Sequence, residues 1–428
     1  TLSTSKTGIK GLLLSVHEDT NSNASLFVDG EVAFASAEER YTRNKFQGGF
    51  PKISVERALK FAAKSLNEVD SFVAGNRIHF LPRILPGYLP EKEHDFFSPL
   101  QKGYLYYHHI LSKIPAAGDA ISAINRALLN LRLRSVKPIV DHHTAHAYSA
   151  YFTSGFDSAA AISMDNMGDG YSTKVFQCSG GKCGFLWGSS AVCSPGQFYG
   201  AITQLLGFHC LMAGKTTGLA ASGNPSKAYG VMEKIFGLAG NRRDFYLYPL
   251  YKSSRDGKYY KELKENFKPA DIAAAAQKRL EDAVCGYVEE ALKETGSENV
   301  VLAGGVFGNV RLNQKIFQLP GVKNIFVHPA MSDQGISLGA AYYYMSGEGL
   351  KPSRLRDVYW GDGFGDGEIH AALEEAGVEF SEEKDIEKRV AELLVQGKVV
   401  ARFKGRMEYG PRALGNRSIL YRPDDPTV

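Results

Sequence analysis

Short apolar runs separated by polar turns open the chain and predict a β-meander. Residues 12–16 and 24–28 are the first two runs, and each is long enough for one strand. Asp29 and Gly30 follow as a hairpin turn, because both residue types tolerate positive φ, and residues 31–37 predict a third strand. The chain is therefore expected to begin with three antiparallel strands rather than with a helix.

A second meander of the same plan is predicted further along the chain. Residues 159–164, 172–178 and 185–189 predict three strands, with a turn rich in Gly and Asp at 165–170. This repetition indicates a duplicated fold, which is how the two lobes of the actin-like superfamily arise. We therefore predict an α/β fold that consists of a duplicated actin-like (ASKHA, ribonuclease-H-like) domain.

The remaining pattern divides the chain into two predicted domains. Helical apolar spacing, clearest at 271–294, alternates with short apolar runs as far as residue 345. A polar, Gly-rich stretch at 346–366 then predicts a linker. We expect a first domain at 1–350, with an accessory insertion at 80–135, and a second domain at 351–428 that the chain only begins.

Composition narrows the class of protein without identifying it. The 428 residues are 44% hydrophobic and 22% charged, as in a globular protein of two or three lobes. The net charge of +4 is small for this length, which argues against a nucleic-acid partner. Since no run approaches the roughly 18 apolar residues that span a bilayer, we expect no membrane partner.

The five cysteines predict a reducing environment. They are sparse, odd in number and form no CxxC pair, which favours ordinary buried or loop thiols. Residues 1–10 are polar and lack an apolar signal core, so a cytoplasmic location is the default expectation. The five are Cys178, Cys183, Cys193, Cys210 and Cys285.

A pair of histidines is the first candidate for chemistry. His142 and His146 are spaced i and i+4 in a predicted helix that follows a short strand. Two imidazoles at that spacing share one helix face and can bind one divalent metal ion, although packing histidines have the same spacing by chance. Asp333 is the best third ligand, because it follows another predicted strand at a sheet edge where α/β proteins bind ligands. Imidazole with carboxylate suits Fe(II), zinc or manganese.

Two glycine-containing loops are candidates for binding a nucleotide. Asp165 and Gly168 lie in the second predicted turn, where a phosphate can approach the backbone and a carboxylate can hold a water, a metal or a hydroxyl nucleophile; a plain hairpin turn explains them equally well. Gly304 and Gly305 follow a predicted strand and precede a helix, which leaves room for a base, ribose or phosphate.

Further polar residues extend this candidate site. Asn309 and Asn313 follow the paired glycines and are predicted to contact the nucleotide. Lys215 lies in a Gly-rich stretch without the P-loop spacing, so it is either a phosphate contact or part of an ordinary turn. Arg412 and Arg417 lie in a loop rich in Gly and Pro at 404–418, whose rigid shape and planar guanidinium groups favour an anion site over a solvated loop.

These motifs resemble those of the O-carbamoyltransferase family of nodulation and antibiotic-biosynthesis enzymes. They run in the family's order along nearly the whole chain, and the last of them is the most specific. The segments are AEERYTRNK at 37–45 with a following Phe50 and Pro51, DHHTAHA at 141–147, and residues 215–225, 303–313, 328–341 and 405–423. Within the last segment, GRMEYGPRALGNRS at 405–418 is the highly specific part.

The resemblance implies a chemistry. It implies an actin-like domain that binds iron, with a nucleotide beside the metal, and its ligands correspond to His142, His146 and Asp333. It implies a second, YrdC-like domain that makes carbamoyl-adenylate from carbamoyl phosphate and ATP. The carbamoyl group then passes to a hydroxyl of a small molecule or sugar. The resemblance leaves open whether another divalent metal replaces iron, whether Mg²⁺ also binds, and whether the protein forms a homodimer.

The resemblance also suggests catalytic residues. Lys45, with Arg412 and Arg417, would hold the negative charges of ATP and carbamoyl phosphate. Asp165, or alternatively a metal-bound water, would assist deprotonation of the acceptor hydroxyl. His17 is the candidate for acceptor contact, although its loop departs from the family's Gly-x-His-Asp-Ser-Ser pattern.

Two other functions remain open from the sequence. An actin-like kinase or phosphotransferase would have a similar fold, but such kinases bind Mg²⁺ through carboxylates and water rather than through paired histidines. A non-catalytic nucleotide-binding regulator would keep the fold without the reaction.

Overall fold

Two five-stranded mixed sheets form the framework of the protein. The computed structural model describes residues 10–76, 136–248 and 257–424, with isolated positions at 120, 122–123, 126–127, 129–130 and 133. The predicted insertion at 80–135 therefore lies almost wholly outside the described residues. The strands are β1 (Leu12–His17), β2 (Asn23–Val28), β3 (Glu31–Ala37), β4 (Ser71–Gly75), β5 (Val136–Val140), β6 (Ser158–Gly168), β7 (Tyr171–Ser179), β8 (Lys182–Ser190), β9 (Phe236–Leu238), β10 (Phe245–Leu247), β11 (Asn299–Ala303), β12 (Asn324–Val327), β13 (Val400–Phe403) and β14 (Arg417–Leu420).

The described helices follow the strands in an alternating α/β order. They are α1 (Glu39–Thr42), α2 (Lys52–Phe61), α3 (His142–Ser154), α4 (Pro195–Leu205), α5 (Ala213–Ala220), α6 (Tyr229–Ile235), α7 (Lys258–Asn266), α8 (Pro269–Thr295), α9 (Val310–Phe317), α10 (Ile336–Gly347), α11 (Asp366–Glu375) and α12 (Ile386–Val395). Short 3₁₀ turns at Gly305–Gly308 and Asp333–Gly335 lie close to the candidate site.

The two large sheets have the same strand order. The first is β3-β2-β1-β4-β5 and the second is β8-β7-β6-β11-β12. In each sheet the first two pairs are antiparallel and the last two are parallel. Both predicted meanders and the α/β class are thus confirmed, since the antiparallel strands are joined by hairpins and the parallel ones by helical crossovers.

One hydrophobic core joins the two sheets through α3 and α10. It contains Leu13 and Phe27 from the first sheet, Phe176 and Val301 from the second, and Leu338 from α10, all buried. Separate cores cover the outer faces, under α2 on the first sheet and under α8 on the second. The ends of β5, β6 and β11 are therefore held together by packed helices rather than by loops alone.

Gly339 marks the place where α10 approaches α3 most closely. A methyl group at this position would lie 1.8 Å from the carbonyl oxygen of Ala145. Gly339→Ala is therefore expected to lower the free energy of unfolding by about 1–3 kcal/mol, because the helices must separate to admit it. Urea unfolding of this variant measures the loss. Gly347→Ala, at the open end of the same helix with nothing near the added group, is the control; equal stability of the two variants would contradict the packing.

The structure corrects the predicted turn at 165–170. β6 continues to Gly168 with a shift of register after Met164, and the turn itself is Asp169 and Gly170 alone. Both turn residues have positive φ, at 49° and 88°, which is the geometry of a tight two-residue hairpin. Asp165 consequently lies on a strand instead of in a loop.

The expectation that all five cysteines are ordinary thiols is wrong for two of them. Cys178 and Cys183 face each other across the β7–β8 hairpin and form a disulfide. Direct opposition on paired strands brings their Cα atoms to 4.0 Å, a relation that their spacing in sequence does not reveal. This pair no longer supports the argument for a reducing compartment.

The predicted linker after residue 345 is packed against the first domain. Trp360 is 9% exposed, and its carbonyl oxygen accepts a hydrogen bond from the Ala35 amide of β3 at 3.1 Å. Arg406 donates to the carbonyl of Ala33 at 2.8 Å. Residues 351–362 and 405–418 are thus attached to the edge of the first sheet.

Candidate functional site

The candidate site begins where β5 passes into α3. Asp141 caps the helix, and its Oδ1 accepts from the Thr144 amide at 2.9 Å. Its Oδ2 accepts from the Lys174 ammonium at 2.8 Å. Burial alone would raise the pKa of Asp141, but Lys174, His143 and the Thr144 amide together outweigh burial and hold the pKa below its ordinary value. The cap starts the helix at His142, which places His142 and His146 one turn apart on its inner face.

Four side chains converge at this point. His146 Nε2 lies 3.3 Å from Asp165 Oδ2 and 3.5 Å from Asp333 Oδ1, and His142 Nε2 lies 3.7 Å from Asp333 Oδ1. One ligand atom from each of the four lies within 4.8 Å of all the others. The three predicted metal ligands are therefore brought together, and Asp165, predicted as catalytic, joins them because β6 continues beyond Met164.

The donor set fits a divalent transition metal. Both histidines are at most 1% exposed. Their four ring nitrogens and Asp333 Oδ1 have no hydrogen-bond partner of good geometry among the described residues. Buried polar atoms are normally satisfied, so this set requires an ion or water. Two imidazoles with two carboxylates suit iron, zinc or manganese. That these residues bind a metal stays a prediction.

Protons occupy the cluster in the metal-free protein. Burial lowers the pKa of His142 well below its usual value, and His146 adds to the effect. Burial also acts to lower the pKa of His146, but Asp165 and Asp333 outweigh it and raise the pKa to about 9. Burial and the charge of Asp165 raise the pKa of Asp333 to about 8. Burial would raise the pKa of Asp165, yet His146 lowers it below its ordinary range.

Metal binding is consequently expected to release protons and to strengthen as the pH rises. His146 and Asp333, with pKa values of about 9 and about 8, hold protons at neutral pH, whereas metal ligands must be deprotonated. Titration calorimetry with Co²⁺ in two buffers of different ionisation enthalpy should show roughly one to two protons released at about pH 7. An affinity that does not change between about pH 6 and 8 would contradict both assignments.

Neighbouring residues fix the position of His142. Its backbone amide donates to Asp169 Oδ2 at 2.6 Å. A methyl group on Gly168 would lie 2.1 Å from its ring, so the glycine makes room for the imidazole. The buried ring of His17 lies edge-on, with its centroid 6.5 Å from that of His142. His143 points away and is hydrogen-bonded to Ser163 and to the Tyr171 carbonyl.

The paired glycines lie directly against the cluster. The Gly305 amide donates to Asp165 Oδ2 at 2.8 Å. Gly304 has a φ of 104°, and a side chain there would meet the Met164 carbonyl oxygen at 2.1 Å. The backbone of β6 thus requires a glycine at position 304, whereas a methyl group on Gly305 would meet only the Asp165 carboxylate, at 3.2 Å. The nucleotide role predicted for both glycines remains a prediction.

The side chains of Asn309 and Asn313 differ in whether a hydrogen-bonding atom remains available for a ligand. Asn309 caps α9 by accepting from the Leu312 amide at 3.1 Å and donates to Gln277 at 2.8 Å, so its side chain is engaged within the protein. Asn313 donates to the Phe307 carbonyl at 2.8 Å. Its buried Oδ1 has no hydrogen-bond partner among the described residues and can accept from a ligand.

The predicted lysines lie in different surroundings. Lys45 is exposed, with its ammonium 5.2 Å from the ring centroid of Phe46. The Phe46 amide donates to Glu39, whose other carboxylate oxygen accepts from the Gln334 side chain at 3.0 Å. The backbone just after Lys45 is thereby linked through Glu39 to Gln334, the residue beside Asp333. Lys215 is exposed on α5, and its ammonium lies 5.5 Å from the Phe208 ring centroid.

The arginine-rich loop reaches the site through one of its predicted residues. Arg412 donates to the Gly308 carbonyl at 2.9 Å, in the turn that follows the paired glycines. Arg417 instead donates to the carbonyl oxygens of Lys404 at 2.9 Å and of Asp362 at 3.3 Å, and lies over the Phe403 ring. The structure therefore gives Arg417 a structural position, while its predicted anion contact stays untested.

Three residues near the site were missed by the sequence reasoning. Glu39, Gln334 and Tyr409 form a connected set, since Gln334 donates to Glu39 and its carbonyl accepts from the buried Tyr409 hydroxyl. All three lie inside segments that the sequence analysis identified as motifs, and this was the only sign in the sequence that they are near the site.

Within the described part of the chain, no helix is long and apolar enough to cross a bilayer.

Comparison with known proteins finds two family models that match the chain. The carbamoyltransferase N-terminus family model matches residues 9–342, and the carbamoyltransferase C-terminus model matches residues 391–428. An uncharacterized protein of Synechocystis is 31% identical over 99% of this chain and 72% of its own length. Nodulation protein NolNO of Sinorhizobium fredii is 29% identical over 98% of this chain, which spans only 62% of that protein.

One solved structure shares the fold. It is full-length HypF in its phosphate- and nucleotide-bound form, with a TM-score of 0.50. The match covers 81% of this chain and 57% of HypF, at 15% identity. Identity this low supports the common fold and nothing finer.

Proposed function

Because the chain belongs to the carbamoyltransferase family and is thus a transferase, we propose that it transfers a carbamoyl group to a hydroxyl of a small molecule or sugar. The group comes from carbamoyl phosphate, whose hydrolysis releases phosphate and leaves carbamate. A carbamate oxygen then bonds to the α-phosphorus of ATP and pyrophosphate leaves, which gives carbamoyl-adenylate. In the transfer step the acceptor oxygen bonds to the carbamoyl carbon, AMP leaves, and the hydroxyl proton is released. This series of reaction steps does not include hydrolysis of ATP to ADP.

The buried cluster carries this proposal. His142, His146, Asp165 and Asp333 meet at the strand ends between the two sheets, where α/β proteins bind ligands. Their donor chemistry suits Fe(II) or another divalent metal, which when bound supplies Lewis acidity next to the reacting carbonyl. The equal strand order of the sheets supports the duplicated actin-like domain that the sequence predicts.

The chain's own residues would position the reactants around the cluster. The Gly305 amide and His146 hold Asp165 in its ionised form, which favours a ligand role over that of a free base. His17, at the end of β1 beside His142, is the candidate for contact with the acceptor.

The nucleotide would bind beside the turn Gly305–Gly308. Asn313 Oδ1 offers a buried acceptor there, and Arg412 reaches the Gly308 carbonyl from the C-terminal segment. The guanidinium group suits a phosphate, and the exposed Lys45 and Lys215 are further candidates for anion contacts. We propose that residues 351–428 belong to the YrdC-like domain that forms the adenylate.

Supplying carbamoyl-adenylate directly tests the transfer step without the activation step. The full chain, loaded with Fe(II) without oxygen, is mixed with carbamoyl-adenylate and a set of sugars and aminoglycosides, and the products are analysed by mass spectrometry. We expect AMP and an acceptor heavier by one carbamoyl group. Free AMP without any carbamoylated acceptor would contradict transfer to these classes. In a separate incubation with ATP and the same acceptors, ADP together with a phosphorylated sugar would favour a kinase.

A further inference from the structure

The turn at residues 409–412 touches the loop that carries Asp333 and the glycine turn that is hydrogen-bonded to Asp165. The Tyr409 hydroxyl donates to the carbonyl of Gln334, the residue next to Asp333. Arg412 donates to the carbonyl of Gly308 at 2.9 Å, in the turn whose Gly305 amide holds Asp165. A single short segment of the C-terminal region thus contacts both sides of the cluster.

Close backbone packing fixes this turn on the Asp333 loop. Gly410 has a φ of 117°, and a side chain there would lie 2.8 Å from the Pro329 carbonyl oxygen. Arg40 donates to the Gly410 carbonyl at 2.7 Å from the first domain. The turn therefore has little freedom to shift relative to residues 329–334.

The turn is also rigid within its own segment. The Glu408 carboxylate accepts from the backbone amides of Leu414, Asn416 and Arg417 at 2.7–3.1 Å. Burial would raise the pKa of Glu408, but these amides outweigh burial and lower it, so the carboxylate stays ionised. Tyr409 is 1% exposed, and its ring packs on Trp360 with the centroids 5.8 Å apart.

Two further contacts connect the Asp333 loop to the region of the first sheet. The Gln334 side chain donates to Glu39, and the Asn23 side chain donates to the Asp333 carbonyl at 2.9 Å. The loop is thereby held from the first sheet on one side and from the C-terminal turn on the other. Residues that orient ligands in this way commonly affect metal affinity by about 10–100-fold.

We propose that the turn at 409–412 positions the two carboxylates of the metal cluster, and that Tyr409 is the positioning residue for Asp333. The inference rests on the proposed metal centre, which it extends to a region remote in sequence. The C-terminal segment then has a part in metal binding as well as in nucleotide chemistry. Tyr409 touches neither metal nor substrate in this account and acts through Gln334.

Binding of Co²⁺ to the full chain without nucleotide tests the inference. Tyr409→Phe keeps the ring and removes only the hydroxyl, and we expect about 10-fold weaker Co²⁺ binding with an altered visible absorption spectrum of the bound ion. Arg412→Gln removes the contact with Gly308 and should weaken binding in the same direction. Tyr344→Phe, which removes a hydroxyl that lies 3.4 Å from Ser71 Oγ, is the matched control and should bind as the parent does.

The outcomes separate this inference from the proposed function. If His146→Ala loses Co²⁺ while Tyr409→Phe keeps the affinity and spectrum of the parent, the positioning role is overturned and the metal centre stands. If the parent chain itself shows no saturable Co²⁺ binding, the metal centre and the positioning role fall together. A lower melting temperature of Tyr409→Phe with unchanged Co²⁺ affinity would show a structural role only and would also overturn the inference.

Discussion

Replacing His146 with alanine is expected to abolish metal binding at the cluster and to lower carbamoyl transfer by at least about 100-fold, since even indirect partners of metal ligands cost 10–100-fold. His146 lies within 3.5 Å of both carboxylates, so its loss removes a nitrogen donor and the group that balances the charge of Asp165. Metal content after dialysis against Fe(II) or Co²⁺, with the rate of carbamate formation, measures both effects.

Two further variants make this result interpretable. His146→Gln keeps a polar side chain at the buried position if the alanine variant unfolds, and it should also lose metal because an amide is a poor substitute for imidazole. His370→Ala removes a histidine that is 45% exposed on α11 and should change neither quantity. Full metal occupancy in folded His146→Ala would show that the histidine is not a ligand.

Gly168→Ala keeps all four proposed metal ligands but is expected to displace the ring of one of them, His142. The added methyl group would lie 2.1 Å from the His142 ring, in a buried place where backbone and helix leave little room. The ring must then turn away from Asp333, and we expect at least about 10-fold weaker Co²⁺ binding and a matching loss of transfer activity.

The control for this variant lies in the same sheet. Gly184→Ala on β8 adds a methyl group 3.7 Å from the Gln177 carbonyl, which is ordinary contact, and should bind Co²⁺ normally. If Gly168→Ala binds Co²⁺ as tightly as Gly184→Ala does, the predicted crowding at His142 is absent.

The local parts of the site could be predicted from the sequence. The spacing of His142 and His146 and the place of Asp333 after a strand were sufficient to group them, because helix periodicity and sheet edges are local properties. Asp165 was recognised as chemically important, but the register shift in β6 that turns it toward His146 depends on pairing with β7. Its membership in the cluster was therefore not predicted.

The parts that could not be predicted depend on contacts between distant segments. Gln334 meets Glu39 and Tyr409 from opposite ends of the chain, and nothing in the spacing of these residues indicates that they touch. The Cys178–Cys183 pair was missed because it requires the exact register of a hairpin. The linker predicted at 346–366 contains polar and glycine residues, yet Trp360 attaches it to β3.

Anomalous X-ray scattering from crystals soaked in Co²⁺ tests the central claim most directly, since that claim is a metal centre at the sheet ends between α3 and the Asp333 loop. We predict one strong peak enclosed by His142, His146, Asp165 and Asp333, at roughly 2.0–2.2 Å from their nitrogen and oxygen atoms. Strong peaks elsewhere on the protein, with none among these four side chains at saturating Co²⁺, would contradict it.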